Sequence, residues 1–318
     1  MLEFKQLGLS DIVKLRGLIQ QGFSHICNNT AGGIFMWRDY FKMEYALFDN
    51  TVVFKARAAY NGVNTVFSVP MGNDILGGIK LVAEYCRANN LPIAFYAVTE
   101  DEIEPLQSVL RPISISDNIS NAPKSSAAAS DTQDYTIYSN EDWSDYIYEA
   151  DALKSLQGRK YSGKRNHINK FKKEYENWAF EEITACNIAR VRDFYIKYSA
   201  GLDFPTKIAL EDHYKTIEVL DNYDMYDLPG GLLRVNDTVV AFSIGEIKND
   251  VLYIHTEKAD THYFGAYQVI NNEFAKHFAA DNIKYINREE DDGDLGLRFS
   301  KHSYYPCNVI PKYIVVLM

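Results

Sequence analysis

Residues 231–287 read GLLRVNDTVVAFSIGEIKNDVLYIHTEKADTHYFGAYQVINNEFAKHFAADNIKYIN, and their order of elements decides the fold class. Gly231 to Arg234, Val239 to Ile247 and Val251 to Glu257 are three apolar-rich runs separated by the turn signals Asn236-Asp237 and Asn249-Asp250. Such runs form antiparallel strands. A loop through Gly265 then opens a helix over 266–279, whose apolar residues recur at helical spacing. Lys284 to Asn287 returns to a strand, and Tyr313 to Leu317 supplies the last one. Strands that alternate with a helix in this way make an α/β unit.

Working outward, Tyr135 to Tyr138 reads as a strand, and the spacing predicts helices near 143–156, 164–177, 185–199 and 209–221. Upstream, residues 8–22 form an amphipathic helix that Ser10 and Asp11 can cap. NNTAGG (28–33) reads as a turn before Phe35-Met36-Trp37. Tyr45 to Phe54 and Thr65 to Val69 read as strands flanking Asn61-Gly62. A helix from Leu76 to Cys86, a strand from Pro92 to Val98 and a short helix from Asp101 to Leu110 complete a first α/β unit. Residues 114–131, SISDNISNAPKSSAAASD, mark the sharpest shift of composition and read as a linker. The expected domains are therefore 1–134 and 135–318. Their loosely shared order of helix, strands, helix and strand fits a duplicated fold.

Composition narrows the function classes. A chain of 318 residues with 47% hydrophobic and 24% charged residues builds a globular core. No stretch approaches the ~18 apolar residues of a membrane span, and the first residues carry charge rather than a signal-type apolar run. Cys27, Cys86, Cys186 and Cys307 stand far apart, so neither a disulfide framework nor a zinc ribbon is indicated. Reduced thiols point to a cytoplasmic protein. The histidines show no HExxH and the acids no calcium-loop spacing, so no metal is expected. With a net charge of −10 the protein cannot coat nucleic acid indiscriminately, and any phosphate contact must come from a local basic patch.

One such patch exists. LKSLQGRKYSGKRNHINKFKK (153–173) carries Arg159, Lys160, Lys164, Arg165 and four more lysines, with no acid. Ile168, Phe171, Tyr175 and Trp178 make one buried stripe, leaving Asn166, Asn169, Lys170 and Lys173 outside it. Cations and amides at a helix start suit a phosphate, although such a run is commonly only a solvated face. A second constellation ends a strand at His255-Thr256-Glu257-Lys258 and leads through Gly265 to the helix carrying Tyr267. Strand alternation puts His255 and Glu257 on one face. A third, YINREEDDGDLGLRFSKHSYYP (285–306), follows Asn287 and Arg288 with Glu289, Glu290, Asp291, Asp292 and Asp294. Arg298, Lys301 and Tyr304 follow. Carboxylates this dense must find cations or raise their pKa. The cluster therefore reads as a binding site for a cationic substrate or the source of a general base, rather than a solvated acidic loop.

Together these three segments resemble the C-terminal catalytic domain of phosphatidylglycerol lysyltransferases, and more closely its bacterial relatives without a membrane region. The resemblance covers most of the chain. It implies an α/β (α+β) fold of two tandem GNAT-like domains, each a mixed sheet flanked by helices, as in Fem-type aminoacyltransferases. Those enzymes carry an amino acid from aminoacyl-tRNA to an amine or hydroxyl. GNAT enzymes that use acyl-CoA show Arg/Gln-x-x-Gly-x-Gly/Ala, where this chain has His262-Tyr263-Phe264-Gly265-Ala266-Tyr267. The bulky Tyr267 favours aminoacyl-tRNA as co-substrate over acyl-CoA.

The expected reaction is acyl transfer to a small-molecule or lipid-headgroup acceptor, with no tightly bound cofactor. Glu257 or Asp291 takes the proton, and Lys258, Arg288 or strand-end amides hold the oxyanion, with His255 alongside. Arg159, Lys160, Lys164, Arg165, Asn166, Gly265 and Tyr267 hold the donor; Asn287, Glu289, Arg298, Lys301 and Tyr304 hold the acceptor or aminoacyl group. Two rival readings are an acyl-CoA-dependent N-acyltransferase and a non-catalytic module binding RNA or a phosphorylated ligand. All three require the motifs near 160, 257 and 288 to converge in the second domain.

Overall fold

The computed structural model describes residues 1–22, 24–58, 62–110 and 135–317. The expected linker at 114–131, and Asn61 of the expected turn, lie outside the described residues. The chain begins with β1 (Lys5–Gln6), α1 (Ile12–Ile19), α2 (Ala31–Trp37), β2 (Glu44–Phe48), β3 (Thr51–Ala56), β4 (Val66–Phe67) and β5 (Met71–Gly72). It continues with α3 (Ile75–Ala88), β6 (Ile93–Val98), α4 (Glu100–Leu110), β7 (Tyr135–Ser139), β8 (Asp145–Glu149), α5 (Ala150–Ser155), α6 (Ser162–Glu174) and β9 (Trp178–Glu182). Next come α7 (Ile188–Ser199), α8 (Lys207–Asp221), α9 (Tyr223–Tyr226), β10 (Gly230–Val235), β11 (Thr238–Lys248) and β12 (Val251–Ala259). Last are α10 (Ala266–Phe278), β13 (Tyr285–Asn287), α11 (Leu295–His302), β14 (Asn308–Ile310) and β15 (Tyr313–Leu317). No helix among the described residues is long and apolar enough to cross a membrane.

Two mixed sheets result. One has the order β1-β2-β3-β4-β6-β15-β7, with β5 on β3; the other runs β14-β8-β13-β12-β11-β10-β9. Parallel pairs, β4 with β6 and β12 with β13, sit among antiparallel ones. Two compact units follow. The first holds 1–145, 290–293 and 310–318; the second holds 146–289 and 294–309. This differs from a division at 134/135. Strand β15 is buried along its whole length and lies between β6 and β7, so the C-terminal strand completes the first sheet rather than the second. An all-apolar strand needs partners on both edges.

Some local readings change for identifiable reasons. The expected strand 45–54 is the hairpin β2–β3, joined by Asp49 and Asn50 at φ 38° and 51°. That left-handed pair is what a two-residue hairpin turn demands, and Asp and Asn tolerate it best after glycine. NNTAGG is no free turn: the Thr30 hydroxyl accepts the Gly33 N–H at 3.0 Å and starts α2. The expected helix 143–156 opens as strand β8, whose Tyr146 and Tyr148 bury against the second core.

In the second unit, α5, α6 and α10 lie on one face of the sheet, around Leu252, Ile254, Ala259, Val269, Ile270 and Phe274. Helix α7 packs on the other face, where Tyr195 meets Phe242 edge-on at 5.9 Å. Helix α6 buries Ile168 and Phe171, and leaves Asn166, Asn169, Lys170 and Lys173 exposed, as its spacing predicts.

Candidate functional site

A β-bulge sets the site. Along β11 and β12, Ile244 pairs with Thr256 but Gly245 pairs with Ile254, so His255 is an extra residue with no cross-strand partner. The extra residue reverses the alternation beyond it. Leu252 and Ile254 face α10 before the bulge, and Ala259 faces it afterwards. Glu257 joins that face, where Asn271 of α10 donates to it at 3.0 Å. His255 points the other way, stacked near Tyr253 with its ring between two carboxylates. The two residues expected on one face therefore lie on opposite faces. Gly245 stands opposite the bulge, and a Cβ there would come within 2.2 Å of the Tyr253 carbonyl oxygen.

On the α10 face, Arg288 reaches from the end of β13 to Glu257, Nη2 to Oε1 at 3.2 Å. Both side chains are about nine-tenths buried, 10% and 9% exposed. Burial works against the guanidinium charge, but Glu257 outweighs it and raises the Arg288 pKa. The Tyr304 ring lies under the pair, its centroid 4.9 Å from the Arg288 guanidinium carbon and 3.9 Å from Lys164 Nζ. Lys164 donates to the Ser303 hydroxyl at 2.7 Å. Burial, and then the neighbouring Arg288 charge, pull its ammonium down to a pKa of about 8. Two cations thus meet at one aromatic ring, and one of them, Arg288, pairs with Glu257. Arg288 Nη1 and Asn271 Oδ1 are buried with no hydrogen-bond partner from the protein. Buried donors rarely stay unpaired unless something else completes them.

The turn carrying Arg288 is fastened from behind. Lys301 is buried and donates to the carbonyls of Arg288 and Glu289 at 2.6 and 3.1 Å. The Asn287 side chain accepts the Glu289 N–H at 2.6 Å, and Glu289 sits at φ 59°. Glu289 also meets His255 Nδ1 at 2.7 Å, while Glu246 meets Nε2 at 3.3 Å. Burial lowers the His255 pKa, but the two carboxylates overcome this and raise it to about 10. His255, Glu289, Asn287 and Lys301 therefore hold the turn that carries Arg288.

Other expected residues fall elsewhere. Lys258 occupies the opposite face from Glu257 and pairs with Asp212 at 2.7 Å, which outweighs its burial and keeps its pKa raised. The dense acids do not form one cluster. Asp294 caps α11 by accepting the Leu297 N–H at 2.8 Å, and Asp292 is exposed. Glu290 and Asp291 belong to the first unit. Asp291 is fully buried and accepts the Gly293 N–H at 2.9 Å, which fits a turn residue and not a proton acceptor at Glu257. Glu290 joins Lys312 at 2.9 Å, and Lys312 in turn holds Asp145 at 2.7 Å. Arg165 donates through Nη1 to the Leu156 and Gly158 carbonyls that follow α5. Arg159, Lys160 and Asn166 are exposed at the start of α6, and Arg298 lies on α11. Gly265 begins α10 at φ 90° for a packing reason: a Cβ would meet the His167 carbonyl oxygen at 2.6 Å. Tyr267 is largely buried, and its hydroxyl lies 3.4 Å from that of Tyr198.

The three motifs thus converge through Lys164, Glu257, Arg288 and Tyr304. Sequence reasoning missed Asn271 and Tyr148. Tyr148 lies 6.0 Å from the Arg288 guanidinium and donates its hydroxyl hydrogen to the Lys301 carbonyl. An asparagine on the core face of α10 was the available signal for Asn271, since a buried amide must have a task. A separate depression of about 390 Å³ in this unit lies among Glu182, Tyr223, Asp224, Asp227 and Phe278.

With this geometry in place, similarity to known proteins is informative. The model of the family described as phosphatidylglycerol lysyltransferase, C-terminal, matches residues 22–316. An uncharacterised protein of Mycoplasmoides gallisepticum is 27% identical over 179 residues, 55% of this chain and 57% of that protein, so the match spans little more than half of the relative. A solved Bacteroides thetaiotaomicron protein of unknown function is 27% identical over the whole of both chains, with a TM-score of 0.84. Two further structures share the fold. The C-terminal domain of a putative lysylphosphatidylglycerol synthetase from Agrobacterium fabrum is 11% identical, covering 97% of this chain and 92% of that one, with a TM-score of 0.64. FemX is 9% identical, covering 99% and 97%, with a TM-score of 0.56. The tandem GNAT-like architecture expected from the sequence is therefore present, and the chain belongs to the phosphatidylglycerol lysyltransferase C-terminal family.

Proposed function

We propose that the second unit transfers an aminoacyl group from aminoacyl-tRNA to an amine or hydroxyl acceptor at the Lys164–Arg288–Glu257 site. The observation that carries this reading is the unpaired, buried Nη1 of Arg288 beside a second cation. A site with two cations and one carboxylate favours added negative charge, and acyl transfer generates it on the carbonyl oxygen. Arg288 donates to that oxyanion as the acceptor attacks the ester carbon. Lys164, with a pKa of about 8, is partly neutral near physiological pH and takes the acceptor's proton. The ester bond to the ribose oxygen then breaks, Lys164 passes the proton it took to that oxygen, and the oxygen leaves as the hydroxyl of free tRNA. Glu257 orients the guanidinium, and Asn271 orients Glu257.

The start of α10 favours tRNA over acyl-CoA. Its glycine is filled by the backbone of α6, which occupies the approach a pyrophosphate would need. Incubating the purified chain with labelled aminoacyl-tRNAs and, separately, acyl-CoAs tests the reading. Label leaves aminoacyl-tRNA for an acceptor, and Arg288→Gln slows this about 10²–10³-fold. Turnover of acyl-CoA with none of aminoacyl-tRNA would overturn the donor assignment. Binding of tRNA without any turnover would favour the non-catalytic module.

A further inference from the structure

Three cations gather at one end of the first sheet. Glu44 of β2 and Lys55 of β3 are cross-strand partners, so their side chains share a face. Strand alternation carries Arg57 toward that same face, and its N–H still pairs with the Phe41 carbonyl at 2.8 Å. Lys42 stands at φ 47° in the turn before β2, where the Met43 N–H meets the Arg38 carbonyl at 2.7 Å. With Thr65, just ahead of β4, and Leu91, these residues line a cavity of about 80 Å³. The Lys55 ammonium pairs with Glu44 at 2.8 Å and lies 4.7 Å from the Phe4 ring centroid. Asp39, three residues before Lys42, pairs with Arg38 at 3.3 Å. Among the described residues, Lys42 and Arg57 form no ion pair and the Thr65 hydroxyl has no hydrogen-bond partner. Three cations and one carboxylate leave the lining with a net charge of +2.

We propose that this cavity binds a single phosphate dianion, either free or as the terminal group of a small phosphomonoester. Size sets the first limit. The cavity is several times the roughly 10–15 Å³ that one water needs, and far below the roughly 300 Å³ at which pockets for drug-sized ligands begin. It therefore suits a group of a few heavy atoms. Charge sets the second limit. Like charges gathered without a counter-ion repel, and a dianion cancels both excess charges where a carboxylate cancels one. Donor chemistry agrees: a guanidinium fork and an ammonium are the usual phosphate partners, and the Thr65 hydroxyl adds a third donor. A nucleic-acid phosphodiester carries one charge and two esterified oxygens, so it fits this lining less well. The site lies in the first unit and does not depend on the proposed transfer.

The experiment is calorimetric titration of the full chain at pH 8 with inorganic phosphate, glycerol phosphate and acetate, at matched ionic strength. Inorganic phosphate is expected to bind at one site with a Kd of about 1 mM or tighter, and acetate at least about tenfold more weakly. Equal or tighter binding of glycerol phosphate would identify the ligand as a phosphomonoester, and weaker binding as the free anion. Lys42→Gln with Arg57→Gln should weaken phosphate binding about tenfold or more, because both uncompensated cations are gone. Lys14→Gln with Lys80→Gln removes the same charge from exposed positions of the first unit outside the cavity, and should change it less than about twofold. Lys42 and Arg57 are exposed, and an unchanged melting temperature will show that the variants fold. No phosphate binding by the wild-type chain overturns the proposal, as do equal losses in the two double variants or equal affinity for acetate. A duplex RNA oligonucleotide that displaces phosphate, and whose own binding the Lys42 and Arg57 substitutions weaken, would reassign the cavity to nucleic acid.

Discussion

Replacing Glu257 by Gln removes the carboxylate that pairs with Arg288 while leaving the shape of the site nearly unchanged. At 3.2 Å the pair attracts by about 5 kcal/mol with an effective dielectric of 20, before desolvation is subtracted. Removing one partner of a buried pair costs about 3–5 kcal/mol, because the remaining charge keeps its desolvation penalty. Gln still accepts one hydrogen bond from Asn271 or Arg288, so the lower end, about 3 kcal/mol, applies. Lys164 stands close enough to Arg288 to depress its own pKa, and two unneutralised cations resist any smaller loss. For a unit of this size each kcal/mol lowers the melting temperature by about 2–4 °C, so Glu257→Gln should melt roughly 6–12 °C earlier. Urea unfolding of Glu257→Gln, Arg288→Met and the double variant closes a thermodynamic cycle. The expected coupling is at least about 2 kcal/mol, with the double variant far more stable than the sum of the singles implies. A coupling below about 0.5 kcal/mol would mean that the pair is solvated or absent, and the reasoning about Arg288 would fall with it.

Four further outcomes follow from other parts of the molecule. Gly245→Ala should cost about 1–3 kcal/mol in urea unfolding, since its Cβ meets the Tyr253 carbonyl at 2.2 Å; a neutral result would remove the bulge from the argument. The His255 ring should stay an imidazolium from pH 5 to 9 by NMR, and titration near 6.5 would contradict the carboxylate sandwich. Because its folded pKa of about 10 lies above the unfolded value of 6.5, its stabilisation is complete below pH 6.5 and is lost as pH rises toward 10, so His255→Gln should cost more at pH 6 than at pH 10. Lys312→Met in the first unit should destabilise by about 3 kcal/mol in chemical denaturation, because the ammonium between Asp145 and Glu290 is fully enclosed; a cost under 1 kcal/mol would argue against that closed cluster.

Periodicity made the second sheet legible in the sequence. The runs at 231–234, 239–247 and 251–257 became β10, β11 and β12 because each is a short apolar-rich run bounded by turn residues. Long-range pairing was not legible: nothing local in Tyr313 to Leu317 says that its partners are β6 and β7. The site divides in the same way. Lys164, Glu257, Arg288 and Tyr304 were visible as chemistry-bearing residues, but strand alternation gave the wrong face for His255 relative to Glu257. A single inserted residue shifts the register, and such a bulge leaves little trace in composition beyond Gly245 across from it. The acid run was overread for a related reason. Neighbours in sequence at a tight turn point in different directions, so Glu289, Glu290 and Asp291 find three separate partners.

The most direct test of the site is the pKa of Lys164, read by NMR on carbon-13-methylated protein with the resonance assigned through Lys164→Arg. The expected value is near 8 and rises when Arg288 is replaced by Gln, because burial and one neighbouring cation hold it down. A value at the ordinary 10.5 that ignores the Arg288 substitution would show that the two cations do not share a buried site, and the proposed transfer would lose its centre.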